Sequence, residues 1–204
     1  MINPSKIQLL QHPLFDTYKV QVSIKRDDII HPIISGNKWR KLKYNLAFLK
    51  QQTRVKGALS FGGSYSNHIH AFAFACFQEG IPCIGVIRGE ADYANNFTLT
   101  WASHWGMKLH FVDRKTYRRR HDADYISELQ RQFPHYFIIP EGGSNELAIP
   151  GVAEVMTELK QQTTFDTLMT PVGSGGTLAG LIAGDSENNE NVHKILGIAV
   201  LKGA

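Results

Sequence analysis

Gly57-Ala58-Leu59-Ser60-Phe61-Gly62-Gly63-Ser64-Tyr65-Ser66-Asn67 decides the fold. Gly57 to Phe61 is a short, largely apolar run, and the next six residues are turn formers. His68 to Glu79 follows, rich in Ala and Phe with little polarity on any side, until Gly80 and Pro82 stop it. A short continuous apolar run fits a strand covered on both faces, and a helix of that composition is buried. The unit is strand, glycine turn, helix.

The same order recurs outward from it. Cys83 to Ile87, Lys108 to Val112, Tyr136 to Ile139, Asp166 to Val172 and Ile195 to Leu201 read as strands. Lys38 to about Gln52, Asn95 to Trp105, Thr116 to Gln132, Gly151 to Gln161 and Leu178 to Ala183 read as helices. Nearer the start, Val20, Val22 and Ile24 alternate with polar neighbours, which predicts a strand from Tyr18 to Arg26 ended by Asp27-Asp28. Gly184 to Asn191 is a polar connection. The alternation predicts an α/β fold with mostly parallel sheets covered on both faces. No linker divides the chain, so a second domain would be an insertion in the first. The last strand runs almost directly into Gly203-Ala204, which predicts an edge strand or a fragment.

The chain has 204 residues, 43% hydrophobic and 20% charged, with a net charge of +4. This is a soluble globular balance, too weakly basic to imply nucleic acid but favourable to small anions. The densest basic run, Arg118-Arg119-Arg120, has Asp122 and Asp124 behind it and reads as a solvated helix face. Cys76 and Cys83 have no disulfide or zinc spacing and read as buried packing in a reducing cytoplasm. No signal-peptide core and no run of membrane-spanning length is present. Asn96-Phe97-Thr98 is a formal sequon that means nothing without secretion.

Three glycine-led helix starts carry the chemistry. In Ser35-Gly36-Asn37-Lys38-Trp39-Arg40-Lys41-Leu42, Asn37 is a good N-cap and Gly36 lets the chain bend into it. Lys38 then sits at the positive end of the helix dipole, with Arg40, Lys41 and Lys43 close by. It should hold its proton less tightly than a free lysine, which suits Schiff-base chemistry, although from this stretch alone a basic helix start facing water is the favoured reading. Gly173-Ser174-Gly175-Gly176-Thr177 lies between a strand and a helix and presents backbone N–H groups and hydroxyls, a phosphate cradle. Leu178 stands where a dinucleotide fingerprint wants its third glycine, and no Gly-Lys-Ser/Thr follows, so a phosphate monoester fits better. At Gly62 to Asn67, Ser64, Ser66, Asn67 and His68 crowd a helix start that could hold a carboxylate, though taken alone the loop is better explained by capping through Ser66 or Asn67. His68 and His70 diverge on a helix and make no metal pair. Glu141 to Asn145 is a third, weaker glycine turn. An amine, an anion cradle and a phosphate cradle together match the needs of pyridoxal 5'-phosphate.

At these residues the chain resembles the 1-aminocyclopropane-1-carboxylate deaminase / D-cysteine desulfhydrase family, with a tryptophan-synthase-β-like fold (pyridoxal-phosphate fold type II). The likeness rests on the Gly-Asn-Lys-x-Arg-Lys-Leu segment, the Gly-Gly-x-x-Ser-Asn turn and the glycine loop, in that order. It implies two three-layer α/β/α domains: residues 1–40 and 143–204 in a large cofactor domain, and 41–142 in an inserted small one. It makes Lys38 the cofactor lysine and Lys41 the second lysine of the segment. Ser66 would bind the substrate carboxylate and handle protons, Asn67 would bond the phenolate oxygen, and His68 would lie beside the carboxylate. Gly173, Ser174, Gly175, Gly176 and Thr177 would hold the phosphate.

Family members continue roughly a hundred residues further, so the resemblance implies a C-terminally incomplete large domain without the partner of the ring nitrogen. The implied activity is deamination or elimination on a small amino acid, D-cysteine or the cyclopropane substrate. The partners expected are that amino acid and no nucleic acid or membrane, with a homodimer left open. A non-catalytic remnant, one part of a split enzyme, and a phosphate-ligand binding domain without covalent chemistry are the alternatives.

Overall fold

The computed structural model describes residues 4–34, 36–186 and 194–200. Ser35 of the lysine segment, much of the polar connection after Gly184, Leu201 of the last strand and the Gly203-Ala204 end lie outside them.

The centre is a four-stranded parallel sheet ordered β5-β4-β3-β6, built from β3 (Gly57–Gly63), β4 (Cys83–Arg88), β5 (Lys108–Val112) and β6 (Tyr136–Ile139). β3 and β4 are buried along nearly their whole length, as their unbroken apolar runs require. One face packs α2 (Asn37–Lys50), α3 (Asn67–Gln78) and α4 (Phe97–His104), through Leu42, Leu46, Phe72, Ala75 and Leu99. The other packs α5 (Arg114–Arg118) and α6 (Ala123–Gln132), through Tyr117, Tyr125 and Leu129. Cys76 and Cys83 are free and buried in the first layer.

β3 continues outward to β4 and β5 on one side, while β6 returns on its other side. That reversal is a topological switch point, where the loops after neighbouring strands diverge and leave a crevice at the carboxyl ends. The loops after β3 and β6 are Gly62 to Asn67 and Pro140 to Ser144.

Two smaller pairs flank this unit. β7 (Thr167–Val172) and β8 (Lys194–Ala199) are parallel, with α7 (Ala148–Gln162) and α8 (Gly176–Ser186) packed on them through Val152, Met156, Leu181, Leu168 and Ile195. Met169, Ile198 and Val200 on this pair stand exposed. β1 (Ile7–Leu10) and β2 (Val22–Lys25) are antiparallel, joined through the short α1 (Pro13–Thr17).

Four sequence expectations need correction. The Tyr18–Arg26 strand is only Val22–Lys25, because α1 and a turn at Lys19 occupy the preceding residues. Thr116–Gln132 is not one helix: α5 ends at Arg118 and α6 starts at Ala123. The arginine run therefore sits on a break, not on a solvated helix face. Asn37 is not the N-cap of α2. Gly36 is, at φ +62°, a backbone conformation open to glycine and costly for other residues, and Asn37 is the first helical residue.

Candidate active site

Lys38, Arg40 and Lys41 lie close together in the first turns of α2, and the fold treats them differently. Arg40 is 2% exposed. Its Nε and Nη2 donate to Asp27 Oδ2 and Oδ1 at 2.6 and 2.8 Å, and its Nη1 and Nη2 donate to Glu158 Oε1 and Oε2 at 2.9 and 3.0 Å. Lys25 adds a 2.6 Å pair to Glu158, and Ser5 Oγ donates to Asp27 Oδ1 at 2.6 Å. Two cations and two anions cancel. Burial would raise both carboxyls, yet the hydrogen bonds and charge of Arg40, with help from Lys25, win and hold both below their usual range. The cluster pins α2 to α7 and to the turn after β2.

Lys38 and Lys41 have no such partner. Lys41 is 1% exposed, and its Nζ donates to Ser144 Oγ at 2.8 Å with Ser174 Oγ at 3.5 Å. Ser144 Oγ and Ser174 Oγ are 2.6 Å apart. Lys38 is half-buried and its Nζ donates to Asn37 Oδ1 at 3.3 Å. Among the described residues neither lysine has a carboxylate partner. Burial lowers the pKa of Lys38. Burial and then the charge of Lys38 bring Lys41 down to about 8. The sequence anticipated the direction for Lys38, but the cause is desolvation rather than the helix dipole.

Lys38 faces a cleft of about 480 Å³ at the switch point, and Lys41 lies behind its Ser144–Ser174 wall. Lys38 enters it from α2; Ser66, Asn67 and His68 from the start of α3; Pro140, Glu141, Gly142 and Ser144 from the loop after β6; Gly173 and Ser174 from the loop after β7; Arg120 and His121 from the α5–α6 break. Three of the anticipated segments thus meet in one place, and the weak third turn, Glu141 to Asn145, contributes as much wall as the others. Gly175, Gly176 and Thr177 lie behind this wall at the start of α8. Asn37 Nδ2 donates to Thr177 Oγ1 at 2.7 Å, which ties the lysine helix to the glycine loop.

Ser144 and Arg120 were not anticipated. Ser144 had only the glycine turn beside it as a signal. Arg120 was hidden in a charge run whose break carries no glycine or proline.

The glycine loop has the shape of an anion cradle. A Cβ on Gly176 would stand 2.6 Å from Ser144 Oγ and 3.0 Å from Lys41 Nζ, so only glycine lets the loop approach the lysine this closely. Around Gly173 and Gly175 nothing lies within 4 Å of a built Cβ, which leaves room for a bound group. The cleft therefore offers the Lys38 amine and the Ser144 and Ser174 hydroxyls, with the Lys41 amine behind them and a helix start beside them, while its lining carboxylate, Glu141, is paired with Arg120. A phosphate ester fits that donor set.

Ser66 caps α3, its Oγ accepting from Ile69 N at 3.3 Å. Its own hydroxyl proton remains to be donated. His68 is buried, with Nε2 2.7 Å from Ser60 Oγ. Ser60 Oγ also donates to the Ile139 carbonyl at 2.8 Å. A carbonyl only accepts, so it takes the one serine proton, and His68 donates from Nε2. His68 Nδ1 is then a bare acceptor, buried and without a hydrogen-bond partner among the described residues. Burial first, then the charges of Lys38 and Lys41, push this ring down to about 3, so it is neutral.

The sequence pattern of the pyridoxal-phosphate dependent enzymes matches residues 5–203. The chain belongs to that family. A Thermotoga maritima protein that carries the name of a 1-aminocyclopropane-1-carboxylate deaminase is 34% identical over 193 residues, covering 91% of this chain and 60% of that protein. A D-cysteine desulfhydrase of Serratia proteamaculans is 28% identical over 177 residues, covering 80% and 52%. The crystal structure of a homologue of the cyclopropane deaminase superposes with a TM-score of 0.81 at 31% identity, over 97% of this chain and 61% of the other. Serine racemase of Dictyostelium discoideum shares the fold at a TM-score of 0.75 and 19% identity. The chain spans about 52 to 60% of the length of these named relatives. Among the described residues no helix is long and apolar enough to cross a membrane.

Proposed function

We propose that this chain builds the cofactor face of a pyridoxal-phosphate-dependent deaminase or lyase acting on a small amino acid. The observation that carries the reading is a half-buried and a buried lysine, neither with a carboxylate partner among the described residues, set against a glycine cradle at a switch-point cleft. Lys38 is the amine that carries the cofactor aldehyde. Lys41, Ser144, Ser174, Thr177 and the N–H groups from Gly173 to Gly176 hold the phosphate, and Asn67 bonds the phenolate oxygen. When bound, pyridoxal phosphate supplies an electron sink for a carbanion at the substrate α-carbon.

The residues then divide the remaining work. Ser66 donates its free hydroxyl proton to the substrate carboxylate, helped by the positive end of α3. Lys38 would take the substrate α-proton, its lowered pKa making the neutral base more available. Ser66 is the second candidate for that transfer. His68 stays neutral beside the substrate and offers Nδ1 to a donor group. The relatives' names point to D-cysteine, which with water would give pyruvate, ammonia and sulfide, or to the cyclopropane amino acid. A division into an inserted domain at 41–142 and a cofactor domain from 1–40 and 143–204 is supported by the four-stranded sheet lying wholly within the insertion. The buried free thiols Cys76 and Cys83 suit a reducing cytoplasm.

The test is spectroscopic. Chain mixed with pyridoxal phosphate should show the visible absorbance band of a lysine-linked cofactor, and Lys38→Ala should lose it. A wild-type chain without that band contradicts the reading.

A further inference from the structure

A second cavity lies beside the cleft, at the carboxyl ends of β4 and β5. It measures about 310 Å³ and is lined by Arg88, Arg114, Tyr117, Arg118 and Arg120. Arg88 is the last residue of β4, and the other four come from α5 and the break behind it. Tyr117 is the buried floor, 2% exposed. The Arg88 and Arg120 guanidiniums sit over its ring at 5.5 and 5.0 Å from the centroid. Tyr117 Oη donates to Glu141 Oε1 at 2.7 Å, and Arg120 Nε donates to Glu141 Oε2 at 2.6 Å. The floor is thus fixed from two sides, and two of the arginines are held in place before any ligand arrives.

The charge does not balance. Among the described residues, Glu141 is the one carboxylate paired with any of the four arginines, and it pairs with Arg120. Arg88, Arg114 and Arg118 have no ion pair there. Four guanidiniums around one small recess repel one another, and only an anion turns that repulsion into binding. Guanidinium groups favour planar, two-pronged contact with carboxylate or phosphate oxygens. The volume matches the small end of ligand pockets. Its position matches too, since ligands of parallel sheets bind beyond the strands' carboxyl ends. Arg120 lines both this recess and the cleft that holds Lys38.

We propose that the recess formed by Arg88, Arg114, Arg118 and Arg120 binds a small multivalent anion bearing phosphate or carboxylate groups, next to the lysine cleft. The anion comes either from the far end of an acidic substrate reaching past Arg120 or from a separate phosphate-class molecule. This site is independent of the cofactor reading and stands even if Lys38 carries nothing.

The experiment is calorimetric titration of the full chain with inorganic pyrophosphate, for wild type, Arg114→Gln/Arg118→Gln and Ser174→Ala. Arg114 and Arg118 are exposed, so the double variant should keep its far-UV circular dichroism, and Arg88→Gln is an independent second probe. The expected result is pyrophosphate binding by wild type, weakened at least about tenfold in the double variant and in Arg88→Gln, and retained in Ser174→Ala. Equal binding by wild type and the double variant overturns the proposal, as does binding lost only in Ser174→Ala, which would place the anion in the glycine loop. No binding by wild type also overturns it. Titrating aspartate into the pyrophosphate complex then separates the sources. Displacement assigns the recess to an acidic substrate side chain, and simultaneous binding assigns it to a separate anion.

Discussion

Arg40 and Lys41 are neighbours in sequence, both nearly fully buried, on one helix. Arg40 is surrounded by its own counter-charges, supplied by Asp27 and Glu158. Lys41 meets serines and a second lysine. A buried charge is costly unless it is paired and hydrogen-bonded. The fold therefore pairs Arg40 within itself, while Lys41 has no carboxylate partner among the described residues, a counter-charge that the proposed phosphate would supply. The contrast separates the framework of α2 from its function within a single turn.

Breaking the balanced side should have the largest effect. Arg40→Met leaves Asp27 without its ion pair and Glu158 with Lys25 alone, and should cost about 3–5 kcal/mol in chemical denaturation. The unbalanced side should respond to ligand instead. Pyridoxal phosphate at a hundredfold excess over its dissociation constant should stabilise wild type by about 2.7 kcal/mol. Lys41→Met should lose most of that gain in thermal melts while the unliganded variant melts no lower than wild type.

The expected pH dependences have opposite origins. The Asp27 and Glu158 carboxyls lie below their unfolded values of 3.8 and 4.5. The folded state therefore binds fewer protons than the unfolded one in that range, and stability is lost as pH falls below about 4.5 through the lowered folded values. Lys41 is a base with a folded value of about 8 against 10.5. Its penalty is fully present below pH 8, and stability from this group rises between pH 8 and 10.5. Denaturation midpoints across both windows, with Lys41→Met flattening only the alkaline one, check the signs. The smallest effect belongs to Lys43, which pairs with Glu154 at the surface. Lys43→Ala should cost no more than about 1 kcal/mol.

The α/β alternation and the sheet strands were legible because buried parallel strands are unbroken apolar runs. β3, β4, β5 and β6 lie within a residue or two of their expected bounds. That the lysine segment and the two main glycine loops lie near one another was legible because strand-turn-helix units in parallel sheets bring their loops to the strands' carboxyl ends. β1 was not legible. Ile7-Gln8-Leu9-Leu10 has no alternation, and its place depends on distant contacts with α7. The Arg40 cluster was not legible either, since Asp27 and Glu158 are far from Arg40 in sequence and look like surface charges. The helix break at Arg119–Asp122 escaped notice because tertiary contacts accompany it: Arg120 and Tyr117 both reach Glu141.

The central claim is that Lys38 is the amine kept free for the cofactor aldehyde. Reduction of the chain with borohydride in the presence of pyridoxal phosphate, followed by peptide mass spectrometry, tests it directly. The account predicts a permanent cofactor adduct on Lys38, absent in Lys38→Ala. An unmodified Lys38, with the adduct on Lys41 or on surface lysines, would contradict it.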